Sequence, residues 1–405
     1  MYVITATFAC LSALSLLIWV YLVFFRGMFW KTEPWLDASG DVELESDADW
    51  PSIAAVVPAR NESHLLPDSL SALLAQEYPG VFHVYLVDDK SEDGTAEVAQ
   101  RLARDLGAES RLTVVMGVER RAGWKGKVWA MSQGIEASKA GGSAYVLLVD
   151  ADVALQPGLL KALVAHAERE RLDLASLMTL LRVESAWDRL LIPAFVYFFA
   201  KLYPFRWICS PHNRTAGANG GCILVRRQAL EKAGGLDAMR DAMIDDCALG
   251  RLIKSSGGRL WLGYTRDVRG RRAHGDLSAT WNMVARYAFA QLGYSYLLLL
   301  GTVLGMLLTY LVPPLGIALG AGSLATLGNV WAYTLLATGA VSWLLMAASY
   351  LPMLRLYGVS CLCAPFLPLS ALMYTLMTVA SGIRHWQGRG GDWKGRTYGY
   401  RKACE

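Results

Sequence analysis

The chain has 405 residues, of which 54% are hydrophobic, a mean hydropathy of +0.29 and a formal net charge of +4 at pH 7. This composition is too apolar for an ordinary soluble enzyme, and the small net charge gives no sign of a nucleic-acid-binding module. We therefore expect membrane segments beside a folded domain, and no nucleic acid among the partners.

The first apolar segment covers residues 2–25, and a bilayer needs roughly 20 apolar residues to be crossed. No basic residue precedes this segment and no small-residue cleavage site follows it, so residues 1–26 are predicted to be an uncleaved transmembrane anchor. Arg26 and Lys31 come directly after it. By the positive-inside rule, the chain that follows stays in the cytoplasm.

Residues 50–275 are predicted to form one cytosolic domain, in which short strand-like runs alternate with amphipathic helices. The runs are SIAAVVPA, FHVYLVDD, LTVVMG and AYVLLVDAD, and the helical stretches between them are HLLPDSLSALLAQ, GTAEVAQRLARDL and GKVWAMSQGIEAS. This alternation predicts an α/β fold with a mostly parallel sheet. Ligands of such sheets bind at the carboxyl ends of the strands.

Polar clusters follow three of these strands: residues 59–62, Asp88 with Asp89, and Asp150 with Asp152. A single aspartate at a strand end is usually a turn former or a helix cap. Two carboxylates one residue apart repel each other unless a cation lies between them. Oxygen ligands without histidine suit Mg²⁺ or Mn²⁺, which prefers to share carboxylates with waters and phosphates. The pair therefore predicts a metal that arrives with a diphosphate.

Two glycines, Gly220 and Gly221, precede a further strand-like run in NRTAGANGGCILVRR. Glycines allow a ligand to approach the backbone closely, so we expect them to form the floor of the acceptor site; the alternative is a plain turn. The stretch LVDDKSEDGT lacks GxGxxG, and GxxxxGK[ST] occurs nowhere. Dinucleotide and P-loop sites are therefore disfavoured.

Four motifs in order, PARNE, VDDKSEDGT, DAD and DDCAL, resemble those of family 2 glycosyltransferases with the Rossmann-like GT-A fold. That family transfers a sugar from a nucleotide donor with a divalent metal. The resemblance implies that Asp88 contacts the nucleotide base and that Glu62 lies nearby. It also implies that Asp150 and Asp152 meet the ribose, the diphosphate and the metal, either Mg²⁺ or Mn²⁺.

The same resemblance assigns a phosphate contact to Lys127 and the catalytic base to the DDxxL motif. A lysine at a helix start opposes the helix dipole unless an anion is near; the alternative is a solvated surface lysine. The family has an ED pair where this chain has Asp245 and Asp246, which implies that Asp246 deprotonates the acceptor hydroxyl and Asp245 orients it. The alternative is that both acids only cap the helix dipole.

Many membrane members of the family carry QxxRW after the base, and this chain has only two partial copies. Met283 to Tyr287 keeps the arginine and an aromatic residue, whereas Gln291 to Ser295 keeps the glutamine. We favour Arg286 and Tyr287 as donor-binding residues, because a departing diphosphate needs a cation. An incomplete QxxRW argues for the addition of one sugar rather than for a polymerase.

The longer stretches WDRLLIPAFVYFFAKLYPFRW and QLGYSYLLLLGTVLGMLLTYLVPP resemble bacterial hopene-associated glycosyltransferases, a subgroup tied to hopanoid lipid metabolism. This resemblance implies a multi-pass protein of the bacterial inner membrane with a cytoplasmic catalytic domain. It implies transfer of one sugar, which we expect to come from a UDP sugar, to a lipid hydroxyl with inversion. Residues 187–207 are predicted to lie at the membrane interface.

The C-terminal part is predicted to contain an interfacial helix at 276–295, about three transmembrane segments at 296–383 and a basic tail at 384–405. Three crossings after a cytoplasmic domain place this tail outside, which the positive-inside rule opposes. Two explanations stay open. Either a proline-containing segment, around Pro313 or Pro365, is re-entrant, or the 297–352 block hides another crossing.

Two other functions remain as alternatives. The first is a polyprenyl-phosphate sugar transferase or short-chain polysaccharide synthase of the same fold. The second is a membrane scaffold with an inactive transferase domain, which predicts lost carboxylates, whereas all of them are present in the sequence.

Overall fold

A computed structural model of the chain describes residues 2–38, 50–273, 275–327, 330–388, 392–393 and 396–397. Most of the basic tail at 384–405 lies outside the described residues, including Arg389, Lys394, Arg401 and Lys402. Within the tail, Asp392–Trp393 and Arg396–Thr397 form a short antiparallel strand pair.

Eight strands of the described residues form one mixed sheet. They are β1 (Ile53–Ala59), β2 (Phe82–Asp88), β3 (Leu112–Met116), β4 (Tyr145–Leu148), β5 (Val153–Leu155), β6 (Leu174–Leu180), β7 (Ile223–Arg226) and β8 (Leu260–Gly270). Their order across the sheet is β3-β2-β1-β4-β7-β6-β8-β5. Every strand that the alternating pattern predicts is present.

The helices connect these strands and then continue into the apolar part of the chain. They are α1 (Tyr2–Phe24), α2 (Leu66–Leu74), α3 (Thr95–Asp105), α4 (Gly126–Ala137), α5 (Leu159–Arg169), α6 (Ala186–Leu202), α7 (Phe205–Cys209), α8 (Arg227–Lys232), α9 (Asp245–Ser255), α10 (Leu277–Gln291), α11 (Tyr296–Met306), α12 (Val312–Leu327), α13 (Val330–Leu356) and α14 (Leu367–Trp386). A π-helical turn at Leu307–Leu311 joins α11 to α12, and a 3₁₀ turn at Cys361–Phe366 precedes α14.

The sheet is parallel where the chain alternates strand and helix, and antiparallel where it does not. Strands β1 to β4 pair in parallel, and so do β6 and β8. Strand β7 runs antiparallel to both β4 and β6, and β5 runs antiparallel to β8. The chain leaves β6 at the carboxyl edge, passes through α6 and α7, and re-enters the sheet at the same edge, so β7 runs antiparallel to β6.

Helices cover both faces of the sheet, because its central strands are apolar on both sides. Along β1, Val56 belongs to one buried cluster, whereas Ala55 and Val57 belong to the other. Successive side chains of a strand point to opposite faces, so an unbroken apolar run is buried on both. The polar residues that follow these runs are therefore held at a rigid edge.

Among the residues that the structure describes, four helical stretches are long and apolar enough to cross a membrane: Thr5–Phe24, Tyr296–Leu324, Val330–Leu356 and Cys361–Trp386. They correspond to the four apolar segments of the sequence. Helix α6 has a proline inside it and ends at Leu202, and α7 follows as a separate short helix. Helices α6 and α10 contact each other and α14, and α6 also contacts α13.

Candidate active site

Charged side chains from three separate elements meet at the carboxyl edge of the sheet. Asp150 and Asp152 follow β4, Lys127 lies in the first turn of α4, and Asp245 and Asp246 open α9. Each position is set by a strand that ends at this edge or by a helix that begins there, so the side chains lie close together. The cluster therefore combines like charges that need compensation.

Lys127 compensates two of these carboxylates at once. Its Nζ lies 2.7 Å from an Asp150 oxygen and 2.9 Å from an Asp245 oxygen. Burial opposes the charged form of the lysine, but the two carboxylates outweigh burial and raise the pKa of Lys127 well above its usual value. The side chain is therefore a fixed cation between the DAD motif and the DDCAL motif. It is not a solvated surface lysine.

Asp246 is held by backbone donors rather than by a cation. Gly220 N donates to its Oδ2 at 3.1 Å, and Cys247 N donates to its Oδ1 at 2.6 Å. Burial and the neighbouring Asp245 raise the pKa of Asp246 to about 6. A carboxylate with a pKa near the working pH is well suited to accept a proton.

Asp150 has a similarly perturbed acidity. Burial raises its pKa to about 6, with Lys127 opposing and the carboxylates of Asp152 and Asp245 adding to the rise. The effect of Asp152 on Asp150 means that both carboxylates of the DAD motif share one local environment. Extra positive charge at this place would therefore be favourable.

Arg272 is a functional candidate that the sequence analysis did not identify. It follows β8, and its guanidinium donates to both Glu62 oxygens at 2.7 Å and to Asp152 Oδ2 at 2.8 Å. Burial opposes its charge, but Asp152 and Glu62 raise the pKa of Arg272. The run of arginines at 269, 271 and 272 after a long strand was the available signal.

The PARNE and VDDKSEDGT motifs are locked together by hydrogen bonds between their loops. Asn61 N donates to Ser91 Oγ and Glu62 N donates to Thr95 Oγ1, each at 3.0 Å. Asp88 is buried at the end of β2, where its carboxylate accepts a hydrogen bond from Ser91 N at 2.9 Å. Glu62 in turn bonds to Arg272, so these loops are continuous with the charged cluster.

Gly220 and Gly221 lie within the cluster, and both positions are sterically restricted. A Cβ on Gly220 would be 3.2 Å from Lys127 Nζ and 3.4 Å from Asp150 Oδ2, and a Cβ on Gly221 would overlap the Thr179 hydroxyl. Asn219 Oδ1 also accepts a hydrogen bond from Thr179 Oγ1 at 2.7 Å. Position 221 therefore has no room for a Cβ, and position 220 has room for one only if the end of Lys127 shifts slightly.

The two partial QxxRW copies lie in different surroundings. The Arg286 guanidinium lies over the neighbouring Tyr287 ring at 5.7 Å, and within the described residues it forms no ion pair. Gln291 Nε2 instead donates to Tyr203 Oη at 2.5 Å. The Tyr203 hydroxyl lies beside the Cys247 thiol, directly after Asp246. Gln291 thus connects α10 to the start of α9.

The DAD carboxylates fit a divalent cation that is completed by other oxygen ligands. In the part of the chain that the structure describes, no group of three or more His, Cys, Asp or Glu side chains forms a metal cage. Asp150 and Asp152 are nevertheless close enough to interact, since burial is the main cause of the raised pKa of Asp150 and the Asp152 carboxylate adds to it. Such a pair suits Mg²⁺ or Mn²⁺ together with waters and phosphate oxygens.

Residues 51–289 match the protein-family model described as "Glycosyltransferase like family 2". The match covers more than half of the chain and contains all the residues of the charged cluster.

Two individual proteins illustrate the similarity. An N-acetylglucosaminyltransferase of Rhizobium leguminosarum bv. viciae is 30% identical over 121 residues, which are 30% of this chain and 26% of that protein. The chain thus spans about a quarter of this curated relative. The mannosyltransferase PcManGT from Pyrobaculum calidifontis, solved with GDP-Man and Mn²⁺, is 19% identical with a TM-score of 0.55, covering 94% of this chain and 99% of that one. The second similarity is one of fold.

Proposed function

We propose that this chain, which belongs to glycosyltransferase-like family 2, transfers one sugar from a nucleotide sugar to the hydroxyl group of a membrane lipid. The chain is a glycosyltransferase with a GT-A-like sheet and four helices long enough to span a membrane. The proposal concerns its donor, its acceptor and the roles of its residues.

One observation carries the proposal: Lys127 lies between Asp150 and Asp245, and Asp246 lies beside Gly220 in the same cluster. A donor diphosphate needs cations, and an acceptor hydroxyl needs a base. The cluster supplies a cation and a base close enough together to act on the same glycosidic bond. If these ion pairs were purely structural, they would not need Asp246, a further carboxylate that is held only by backbone donors.

In the proposed mechanism, Asp246 accepts the proton of the acceptor hydroxyl as the oxygen attacks the anomeric carbon. The donor's carbon–oxygen bond breaks on the opposite side, so the configuration inverts and the nucleoside diphosphate leaves. The hydrogen bond from Gly220 N orients the Asp246 carboxylate for this transfer. Asp245, paired with Lys127, orients the neighbouring carboxylate rather than taking the proton.

On the donor side, Asp88 and Glu62 are assigned to the nucleoside, and Asp150 and Asp152 to the ribose, diphosphate and metal. A bound Mg²⁺ or Mn²⁺ supplies positive charge that offsets the departing diphosphate. Lys127 contributes a second cation on the leaving-group side, and Arg286 with Tyr287 is assigned to the diphosphate from α10. We propose a UDP sugar as the donor.

The lipid acceptor is supported by the position of the cluster close to the apolar helices. Tyr203 lies between α9, which carries the base, and α10, which leads into the first C-terminal apolar helix. An acceptor whose hydroxyl lies at the membrane surface thus has a short path to Asp246. A hopanoid or another glycolipid precursor fits this description, in a bacterial inner membrane with the catalytic domain on the cytoplasmic side.

The test is to incubate the purified protein in lipid vesicles with radiolabelled nucleotide sugars, Mn²⁺ and a lipid extract. We expect one UDP sugar to label a single lipid product that is stable to mild acid. A ladder of product lengths would identify a polymerase, and an acid-labile phosphodiester would identify a polyprenyl-phosphate transferase. No heat of binding with UDP and Mn²⁺ in calorimetry would instead favour an inactive scaffold.

A further inference from the structure

The fourth apolar segment, Cys361–Trp386, has 26 residues and a mean hydropathy of 1.6, enough to cross a membrane by length and composition. Whether it does cross is decided by its contacts with the other long apolar helices and with the sheet domain.

Helices α1, α12 and α13 form a bundle in which α1 and α13 run parallel and α12 runs the opposite way. Ser12 Oγ lies 2.7 Å from Thr338 Oγ1, and Trp19 Nε1 donates to Thr309 O at 2.7 Å. A Cβ on Gly339 would contact Pro313 O at 2.8 Å. These pairs place the N-terminal ends of α1 and α13 together, at the same end as the C-terminal end of α12.

The C-terminal end of α13 lies against the sheet domain. Ser349 Oγ is 2.7 Å from the Tyr197 hydroxyl of α6, and Tyr357 contacts the backbone of Leu181, directly after β6. The chain therefore enters the fourth segment on the side of the membrane that faces the sheet domain.

From there the chain extends only halfway along α13 before it turns back. Trp343 Nε1 donates to Pro365 O at 3.0 Å, and Trp343 lies 13 residues from each end of the helix Val330–Leu356. At about 1.5 Å per residue, Pro365 is about 20 Å short of the far end of α13. The 3₁₀ turn before α14 thus ends near the middle of the bundle.

Helix α14 then returns to the side that faces the sheet domain. Its first half packs on α6, where the Tyr374 hydroxyl donates to Leu191 O at 2.8 Å. At its end, Ser381 Oγ accepts a hydrogen bond from Phe289 N at 3.0 Å, and Arg384 donates to Asn282 Oδ1 at 2.8 Å. Phe289 and Asn282 belong to α10, which the Gln291 hydrogen bond ties to Tyr203 beside the active site.

The distribution of charge agrees with this path. Residues 1–25, 287–354 and 356–383 contain no Asp, Glu, Lys or Arg. Arg26, Arg355 and Arg384 flank α1, α13 and α14 on the side of the sheet domain. A crossing by α14 would carry Arg384 and the basic tail to the opposite side, against the positive-inside rule.

From these contacts, we infer that Cys361–Trp386 is a re-entrant hairpin that enters one leaflet and leaves on the same side, so that the chain crosses the membrane three times. The basic tail then lies on the side of the catalytic domain. This inference does not depend on the transfer reaction. It selects the first of the two explanations left open by the sequence, with Pro365 at the turn of the hairpin.

The hairpin also defines a surface for lipid. Leu362 is 82% exposed and Phe366 is 57% exposed, and on α11 Leu297 is 78% exposed. Helix α11 has no buried residue. These apolar side chains are continuous with the membrane bundle, so their partner is the acyl chains of the leaflet next to the catalytic domain. Helix α11 also contacts α14, so the hairpin and α11 form one apolar surface.

The test uses single cysteines and a membrane-impermeant maleimide on the full chain, in intact cells and in sealed inverted vesicles. The sites are Glu231→Cys on the sheet domain, Val330→Cys at the start of α13, Leu362→Cys in the hairpin and Trp386→Cys at the end of α14. All four positions are exposed. The background replaces the native cysteines with serine or alanine, and elution as a single species in detergent checks its fold.

We expect Trp386→Cys to be labelled from the same side as Glu231→Cys, and Val330→Cys from the opposite side. Leu362→Cys should be protected from the reagent in vesicles and labelled after detergent is added. Labelling of Trp386→Cys from the side of Val330→Cys would overturn the inference. If the background does not fold, alkaline phosphatase and green fluorescent protein fused to the native C-terminus decide the same question, since phosphatase activity would mean a fourth crossing.

Discussion

Arg272 donates from one terminal nitrogen to both carboxylate oxygens of Glu62, at 2.7 Å each, across 210 positions of the sequence. Its Nε donates to Asp152 as well. One guanidinium therefore joins the PARNE loop to the DAD motif. Because Glu62 is buried, the guanidinium compensates a carboxylate whose charge burial disfavours.

We predict that Arg272→Ala lowers the thermal unfolding midpoint by several degrees, because it removes the two ion pairs that join the buried Glu62 carboxylate to Asp152. Scanning calorimetry or dye-monitored unfolding measures the difference. Arg272→Lys is the matched control, since it keeps the charge but loses the two guanidinium nitrogens that reach the two carboxylates. An unchanged midpoint in Arg272→Ala would contradict the structural role of these ion pairs.

Asp246→Asn is predicted to reduce kcat by at least 100-fold and to leave donor binding nearly unchanged. Asparagine accepts the Gly220 hydrogen bond but cannot take up a proton, and general-base catalysis contributes about 100-fold or more. Turnover with labelled donor and calorimetry with UDP and Mn²⁺ give the two quantities. Asp245→Asn serves as the comparison. Retained turnover in Asp246→Asn would move the base to another carboxylate.

The pH dependence should show activity and stability changing in opposite directions. Burial raises the pKa of both Asp150 and Asp246 to about 6, from an ordinary value of 3.8. The folded protein then binds more protons than the unfolded chain between about pH 4 and 6, so its stability falls as the pH rises through this window. In the same window kcat/KM should rise by up to about tenfold per pH unit as Asp246 loses its proton, and then level off. A rate that is flat between pH 5 and 8 would contradict the base assignment.

The two adjacent glycines give a matched pair of variants. Gly221→Ala is predicted to destabilise the protein strongly, because its methyl group overlaps the Thr179 hydroxyl. Gly220→Ala meets the flexible end of Lys127 at 3.2 Å and should fold while transferring sugar more slowly. Unfolding midpoints and turnover separate the two effects. Adding Thr179→Ala to Gly221→Ala should recover part of the stability, and no recovery would mean that another contact is responsible.

Asp152→Ala is predicted to abolish the Mn²⁺ dependence of donor binding. The change removes one of two carboxylates that are close enough to interact, and it leaves Arg272 with Glu62 alone. Calorimetric titration of UDP with and without Mn²⁺ measures the effect. Asp105→Ala, which removes an exposed acid at the end of α3 and outside the cluster, is the control for a general loss of charge. Unchanged metal-dependent affinity in Asp152→Ala would remove its assignment as a metal ligand.

Much of the charged cluster was predictable because its parts follow local signals. Asp150 and Asp152 end a strand that is apolar on both sides, and Lys127 stands at a helix start where only a nearby anion favours a cation. Arg272 gave no comparable signal, because its partners are 120 and 210 positions away. The choice between the partial QxxRW copies was equally nonlocal. Only the fold places Gln291 against Tyr203 while Arg286 lies over Tyr287.

By itself, the sequence determined which segments are buried, which are apolar enough for a membrane, and where acids and glycines meet strand ends. These properties depend on the periodicity and length of neighbouring residues, which a chain carries wherever it folds. The tertiary structure alone decided which charges compensate one another, that β7 runs antiparallel, and how far the fourth apolar segment penetrates. The pairing of charges and strands, and the depth to which the fourth apolar segment enters the membrane, depend on contacts between residues far apart in the chain. The contact of Trp343 with Pro365 is one of them. Hydropathy is the same for a helix that crosses and one that turns back.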